Sequence, residues 1–547
     1  MSVKPDPIPP IPEETVRIAH AAFPQGNVYM TLRDQMGALY ADSDFADLFP
    51  TRGQPALSPW RLAVITILQF MENLTDRQAA DAVRARVDWK YALSLDLTDP
   101  GFDHTVLSEF RTRLVAHTAE ERLLDLLLDL CKERGWLKAR GKQRTDATHI
   151  LAKIRALNRL ECVGETLFHT LNVIALVAPD WLRTHATPQW GQRYTHRVED
   201  YRLPTSKEAR QQYAEVIGQD GWALLDLLTS SDAPDWLRTI PAVRTLQRIW
   251  EQQYHPQATG GGWRTEDHLL PSGHICNSPY DLDVRYARKR STSWVGYKAH
   301  FTEVCEPNAP HLITQVMTTS AATTDDAMVT PIHEALASKD LIPDQHLVDA
   351  GYVDAELLVT SQTDFGVDLV GPSRGDYKWQ AQQQTGFDAS HFVIDWEQQQ
   401  ATCPQGQVSM GWMAAQDGKR EVVKVKFSYA ICHRCPVQSL CTKSGRRTLT
   451  LRPHLQYLAL QTARQREQTD DFRVLRAQRA GIEGTHAQGV RRCGLRRSRY
   501  IGEPRTHLQH IATAVAMNLL RLHDWVTERP TAKTRLPPFA ALIHGAA

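Results

Sequence analysis

The feature that most constrains the fold is a set of three carboxylates in unusual neighbourhoods, far apart along the chain. Glu483 stands in Arg479-Ala-Gly-Ile-Glu483-Gly-Thr-His and is followed by Arg491-Arg492-Cys-Gly-Leu-Arg496-Arg497-Ser-Arg499. From Arg473 to Arg505 there are nine Arg against two acids, Glu483 and Glu503, a local excess of +7 in a chain of formal net charge +1. Solubility does not explain an acid isolated in a basic stripe; a metal-binding carboxylate working beside phosphate does. Asp146 (in Arg-Thr-Asp146-Ala-Thr-His) and Asp349 (in Leu-Val-Asp349-Ala-Gly-Tyr) read as acids at strand ends. Neighbouring strands would set these two side by side, and a helix crossing the sheet would add Glu483. Three such acids suit two-metal phosphoryl transfer. The ordinary role of a lone Asp is a helix cap or surface charge, and that of Glu483 an i,i+4 ion pair with Arg479. For Asp349 the ordinary role is weakened by the strand that ends there and the Gly turn that follows.

The bulk numbers exclude several classes. A length of 547 residues allows two to four domains, and 42% hydrophobic with 23% charged residues is ordinary for a globular protein. The best apolar run, Leu62–Phe70, falls short of a membrane span, and no signal segment opens the chain, so a cytoplasmic protein with no membrane partner is expected. No Walker A loop is present, so no nucleotide cofactor is implied, and no Gly-x-Ser-x-Gly nucleophile motif occurs. Of nine Cys, those at 131, 162, 276, 305 and 493 are scattered, whereas Cys403, Cys432, Cys435 and Cys441 fall within 39 residues. One C-x2-C knuckle with two further thiolates suits a structural Zn²⁺, with His433 a substitute ligand. An iron–sulfur cluster would use the same four thiolates, and unliganded Cys is the plain alternative.

Along the chain, residues 1–25 read as a Pro-rich loose arm and 26–138 as a helical DNA-binding domain. Its helices are expected over Pro59–Asn73 (opened by Ser58), Thr75 to about Val87, and Asp103–His117, the last with Val106, Leu107, Phe110 and Leu114 on one face and Arg111 and Arg113 off it. Arg77, Arg111 and Arg113 would meet DNA if this is a helix-turn-helix unit; a plain bundle fits the pattern equally. Residues 139–526 read as an α/β catalytic domain. Strands are expected near Arg144–Thr148, Trp294–Val304, His311–Thr318, Gln345–Asp349 and Val367–Val370. Helices are expected from about Ile150 to Val177, over 325–338 with Thr324 or Asp325 as cap, and over Asp354–Gln362, Gln456–Arg479 and Thr506–Val526. Two stretches interrupt the domain: a helical insertion at 155–275, with Trp181, Trp190, Trp222, Trp236 and Trp250 as anchors, and a Cys-rich metal-binding insertion at 373–450. Residues 527–547 read as a tail.

The chain resembles bacterial insertion-sequence transposases of the DDE class, in the subgroup with a helical N-terminal domain and a Cys-containing insertion. The resemblance spans roughly residues 25–525. It is carried by Ser58-Pro59 through Arg84, Phe110-Arg-Thr-Arg113-Leu, Thr145-Asp146-Ala-Thr-His, Ser278-Pro-Tyr-Asp281, Trp294-Val-Gly-Tyr-Lys298-Ala-His, Val348-Asp349-Ala-Gly-Tyr352 and Gly481-Ile-Glu483-Gly-Thr-His-Ala-Gln488-Gly. It implies a ribonuclease H-like mixed-sheet core, in keeping with the strand and helix order, and a catalytic triad of Asp146, Asp349 and Glu483 holding two Mg²⁺ (or Mn²⁺). It further implies double-stranded DNA partners (terminal inverted repeats and target), a homodimer on DNA, and a place at the nucleoid when active. The family's Tyr-x2-Arg-x3-Glu-x6-Lys signature is matched in part: Arg479 and Glu483 fit, Arg476 takes the Tyr position and Val490 the Lys position, with Arg491 next door as a phosphate-facing cation.

Arg476, Arg479, Arg491, Arg492, Arg496, Arg497 and Arg499 would neutralise phosphates and make binding salt-dependent. Arg288-Lys289-Arg290 and Lys298 form a second basic patch, and Trp294 and Tyr297 beside it would either stack on a base or fill the core. His507, His510 and Asn518 read as core packing. A joining-deficient nuclease and a non-catalytic DNA-binding regulator remain the alternatives to a transposase.

Overall fold

The computed structural model describes residues 2–375, 378–382, 386–418 and 420–529, together with 539 and 542. Most of the expected tail at 527–547 lies outside the described residues, as do 376–377, 383–385 and 419 of the Cys-rich stretch.

A mixed sheet carries the centre of this α/β chain. Its strands are β1 (Lys142–Leu151), β2 (Arg285–Lys289), β3 (Thr292–Val304), β4 (Ile313–Ser320), β5 (Gln345–Leu347) and β6 (Asp368–Val370). β1 lies between β3, to which it is antiparallel, and β5, to which it is parallel; β6 continues parallel beyond β5. The other edge of β3 pairs antiparallel with β2 and then with β4. β3 is therefore the spine, paired on both edges and buried from Ala299 onward. Strands buried on both faces are normally apolar throughout, yet His300, Thr302 and Glu303 lie inside this one.

Helix Pro59–Met71 is apolar all round and has twelve of its thirteen residues buried, as expected of a core helix. Ser58 is its N-cap residue, as expected, but makes no side-chain cap bond. Asp42, brought from the preceding segment, accepts from Ser58 Oγ at 2.7 Å and from Trp60 N at 3.1 Å. The next helix, Asp76–Ala85, starts at a Thr75/Gln78 capping box, and Thr105–Ala116 follows after a short helix. The last helix, Glu503–Val526, lies between β4 and Pro59–Met71. One hydrophobic core thus runs from the N-terminal helices through the sheet to the last helix. Position 138 marks a change of secondary structure, not a break in packing.

Cross-strand pairing overrides the helical pattern at 150–158. β1 continues to Leu151 because Thr148–Leu151 pair with β3, so the next helix begins only at Arg159, with Asn158 and Glu161 as its capping box. This helix, Arg159–Val177, is long and apolar enough to cross a membrane by length and composition, with mean hydropathy 1.3. Glu161 and Glu165 divide its sequence, so it contains no long uninterrupted apolar run of the kind that marks a span by eye. Most of it is buried in the protein, and Glu165 accepts from Tyr280 Oη at 2.6 Å and Val198 N at 2.6 Å. It is the centre of a helical module with its own core, in which Trp190 and Trp250 are buried while Trp236 is 48% exposed and anchors nothing. The expected helix Gln456–Arg479 is two helices, His454–Arg466 and Asp470–Ala480, the second capped by Thr469. The Cys-bearing stretch folds as a hairpin of β7 (Val393–Asp395) and β8 (Gln400–Thr402) beside a three-stranded sheet of β9 (Gly411–Asp417), β10 (Arg420–Lys426) and β11 (Thr448–Leu451), around a small core of its own.

Candidate active site

Strand register brings Asp146 and Asp349 together. Arg144 of β1 is level with Leu347 of parallel β5. Two residues on from each stand Asp146, still within β1, and Asp349, just past the end of β5, and both line one cavity. Asp146 is mid-strand, not at a strand end, because β3 keeps pairing with β1 after β5 has stopped. Asp349 leads into a tight turn in which Gly351 N donates to its Oδ1 at 2.7 Å. A Cβ on Gly351 would come within 2.8 Å of Asp349 Oδ1 and 3.0 Å of Asp325 Oδ2, so only glycine lets the two carboxylates close on this turn.

Glu483 comes from helix Ile482–Cys493, which follows Asp470–Ala480 at Gly481. Gly481 lies so close to the Arg144 guanidinium that a Cβ would overlap it. Arg144 is held in turn by Glu303, a carboxylate with no solvent exposure: Arg144 Nη2 is 2.6 Å from Oε1, while Arg521 Nη1 (2.8 Å) and Thr485 Oγ1 (2.7 Å) donate to Oε2. Arg144 also donates to the Gln478 carbonyl. This buried cluster ties β1 and β3 to the Glu483 helix and the last helix. Above it, Arg479 Nη1 is 3.2 Å from Asp146 Oδ2 and Nη2 is 3.6 Å from Glu483 Oε1. The i,i+4 pair expected for Glu483 exists, and its arginine spans two of the three acids.

The acids line one cavity of about 360 Å³ with Asp325 as a fourth carboxylate and Lys289, Arg290, Lys298 and Arg479 as cations. Burial pushes the Asp146 carboxyl up to about 6; the Arg479 charge opposes this and the Asp349 charge adds to it. Buried groups near these acids stay neutral. Burial holds His300 down at about 3 and His486 at about 4, and His300 Nδ1 is 2.6 Å from the Tyr352 hydroxyl. Burial, and then the charges of Asp325, Asp146 and Asp349, keep Tyr352 protonated. A carboxyl raised by burial and by a like charge in an open cleft makes that cleft a candidate functional site. Asp325 escapes sequence reasoning, in which it reads as a helix cap. It makes no cap bond and instead accepts from Lys298 Nζ at 2.8 Å.

The basic residues divide into two sets. Arg77, Arg290, Arg476, Arg491, Arg492 and Arg497 are exposed. Arg111 is turned inward: it pairs with Asp76, donates to Gln69 at 3.3 Å and stacks 5.6 Å over Tyr500. Arg113 packs on Phe49 at 4.8 Å. Arg496 donates to Thr148 and the His149 carbonyl, and Arg499 to Asn73 and the Leu74 carbonyl. These four knit the molecule together. Trp294 and Tyr297 are buried, Tyr297 on Asp281 at 2.8 Å. His510 and Asn518 are fully buried and bonded to Thr318 and to the backbone of Ile313.

Cys403, Cys432, Cys435 and Cys441 line one small cavity of about 40 Å³, and the other three contribute, after burial, to raising the Cys441 thiol. Two tight turns aim them there: Cys435 N bonds Cys432 O at 3.2 Å, and Gly406 N bonds Cys403 O at 2.8 Å. Among the described residues no group of three or more His, Cys, Asp or Glu is arranged as a closed metal site. The thiols converge without forming a coordination shell, and the acids likewise.

Comparison with known families gives two matches: the Transposase domain (DUF772) over residues 18–113 and the Transposase DDE domain over residues 402–523. The second includes Glu483, whereas Asp146 and Asp349 lie in the sheet between the two spans. No curated protein and no solved structure matches the chain. With a transposase-domain match at each end, the chain is similar to the DDE transposases of insertion sequences, and the two matches support a DNA transposase function.

Proposed function

We propose that the sheet is a ribonuclease H-like catalytic core and that Asp146, Asp349 and Glu483 are its triad. The observation that carries this is that Asp146 and Asp349, from segments 203 residues apart, line one cavity just past the paired Arg144 and Leu347, with Glu483 linked to Asp146 through Arg479. The order β4-β3-β1-β5-β6, antiparallel on one side of β1 and parallel on the other, supports the same core. The acids are hard oxygen donors in an open polar cavity and suit Mg²⁺ or Mn²⁺. Bound there, two such ions would supply Lewis-acid activation of an attacking oxygen and stabilisation of a leaving one.

The chain's own residues set the rest. Asp146 and Asp349 bring paired negative charge to one end of the sheet. Arg479 offsets the charge of Asp146 and Glu483 and orients the latter. Lys289, Arg290 and Lys298 receive phosphate at the cavity, and exposed Arg476, Arg491, Arg492 and Arg497 follow the backbone away from it. Water displaces the 3′-oxygen at an element end, and the freed 3′-OH then attacks target DNA. In the joining step one phosphodiester forms for each broken, so no nucleotide is consumed. Paired ends imply a homodimer on DNA, and the substrate puts the protein at the nucleoid in the cytoplasm. Cys403, Cys432, Cys435 and Cys441 would hold one Zn²⁺ that stabilises a unit with little core of its own.

The test is Mg²⁺-dependent cleavage and joining on DNA carrying the sequences that flank the gene, with Glu483→Ala alongside. A specific nick and a joined product, both lost in the variant, support the reading. Cleavage without joining would make the protein a nuclease, and binding without cleavage a regulator. Cleavage untouched by the substitution would exclude Glu483 from the triad.

A further inference from the structure

We propose that Asp325 is a positioning residue that holds Lys298 as the cation for the scissile phosphate. This rests on the transposase reading of the cavity. Lysine is seldom buried without a partner, and the Lys298 side chain is only 15% exposed. Its ammonium donates to the Thr323 carbonyl at 2.6 Å and to Asp325 Oδ1 at 2.8 Å. An ammonium has three donors, so one remains for a ligand in the cavity that Lys298 lines. Asp325 Oδ2 and Asp349 Oδ1 approach the same point over Gly351, which sets this fixed cation beside the acid pair. Phosphoryl transfer gains most from charge already in place where the phosphate oxygens sit.

The other cations are less suited. Arg479 is engaged by Asp146 and Glu483. Arg491 is exposed on its helix and does not line the cavity, and Val490 packs against the core. Lys289 and Arg290 stand on the exposed tip of the β2–β3 hairpin. The phosphate-facing cation expected from the Glu483 helix is therefore supplied by β3.

The test measures end binding in Ca²⁺, which separates it from turnover. Two duplexes are compared, one with an ordinary scissile phosphate and one with a neutral methylphosphonate there. Wild type is expected to bind the neutral duplex more weakly by what Lys289, Arg290, bound Ca²⁺ and Lys298 together contribute. Lys298→Met is expected to cut that discrimination about tenfold, the worth of one charged hydrogen bond. Asp325→Asn is expected to lose most of the Lys298 share, and Lys298→Arg to keep part of it. A Lys298→Met protein that discriminates as wild type does would overturn the role of Lys298. Full discrimination in Asp325→Asn would overturn that of Asp325. If Asp325→Asn does not fold, Asp325→Glu is read in the same way. Wild type that cleaves but ignores the methylphosphonate refutes this inference alone; wild type that neither binds nor cleaves ends refutes the transposase reading beneath it.

Discussion

Replacing Asp146 by Asn should make the metal-free protein more stable while abolishing cleavage. The Asp146 carboxyl is raised from 3.8 to about 6, by burial first and with the Asp349 charge adding to it against Arg479. A difference of about 2 pH units corresponds to about 3 kcal/mol. The sign follows from proton binding. The native state holds this proton more tightly than the unfolded chain, so stability falls as pH rises from about 4 to about 6, and the full cost applies above that. Asn keeps the shape and the acceptor for Ala147 N, now 2.8 Å from Oδ1, but carries no charge. In Mg²⁺-free buffer at pH 8, the unfolding midpoint of Asp146→Asn should therefore lie above wild type by a few degrees. At pH 4.5 most of the gap should close, because the wild-type carboxyl is then protonated in the folded protein. Added Mg²⁺ should raise the wild-type midpoint and leave the variant where it is. Equal midpoints at pH 8, or a gap of the same size at both pH values, would refute the electrostatic account. Function maintained at a cost in stability is the general expectation for an active site.

Three further outcomes follow from the same geometry. Glu303→Gln leaves Arg144 without a counter-charge in the core, and denaturant unfolding should show a loss of about 3–5 kcal/mol along with cleavage; a loss below about 1 kcal/mol would mean the cluster does not brace the Glu483 helix. Replacing both Arg491 and Arg492 by Ala should flatten the dependence of log Kd on log salt by about 2, measured by fluorescence anisotropy on terminal DNA, and an unchanged slope would place this face away from the backbone. Cys432→Ser should abolish co-purifying zinc by elemental analysis and lower the melting temperature, whereas equal zinc in both proteins would exclude the four-thiolate site.

Much of the candidate site is legible in the amino-acid sequence. Asp349 is marked by ending an apolar strand ahead of Ala350-Gly351, and Glu483 by standing alone among arginines. Capping boxes at Thr75 and Asn158 are local hydrogen-bond arrangements, which short sequence windows carry. The Thr75 box reads directly as a helix start, while the one at Asn158 is masked by a helical pattern that begins several residues earlier.

What depends on contacts across long separations is not legible there. An arginine off the apolar face of a helix looks the same whether it meets water or a carboxylate. Arg111 turns inward because Asp76 and Gln69 are there to receive it, and Arg499 because Asn73 and Leu74 are. Asp325 has the appearance of a cap until β3 brings Lys298 to it. Asp146 is a mid-strand residue because β3 outlasts β5 along β1, which no property of its own segment records. The sequence by itself thus determined which residues have the chemistry to hold a metal ion or neutralise a phosphate, since type and local pattern decide that. Tertiary structure alone decided which of them face the cavity, because ion pairing and strand register are set by partners that the chain supplies from elsewhere.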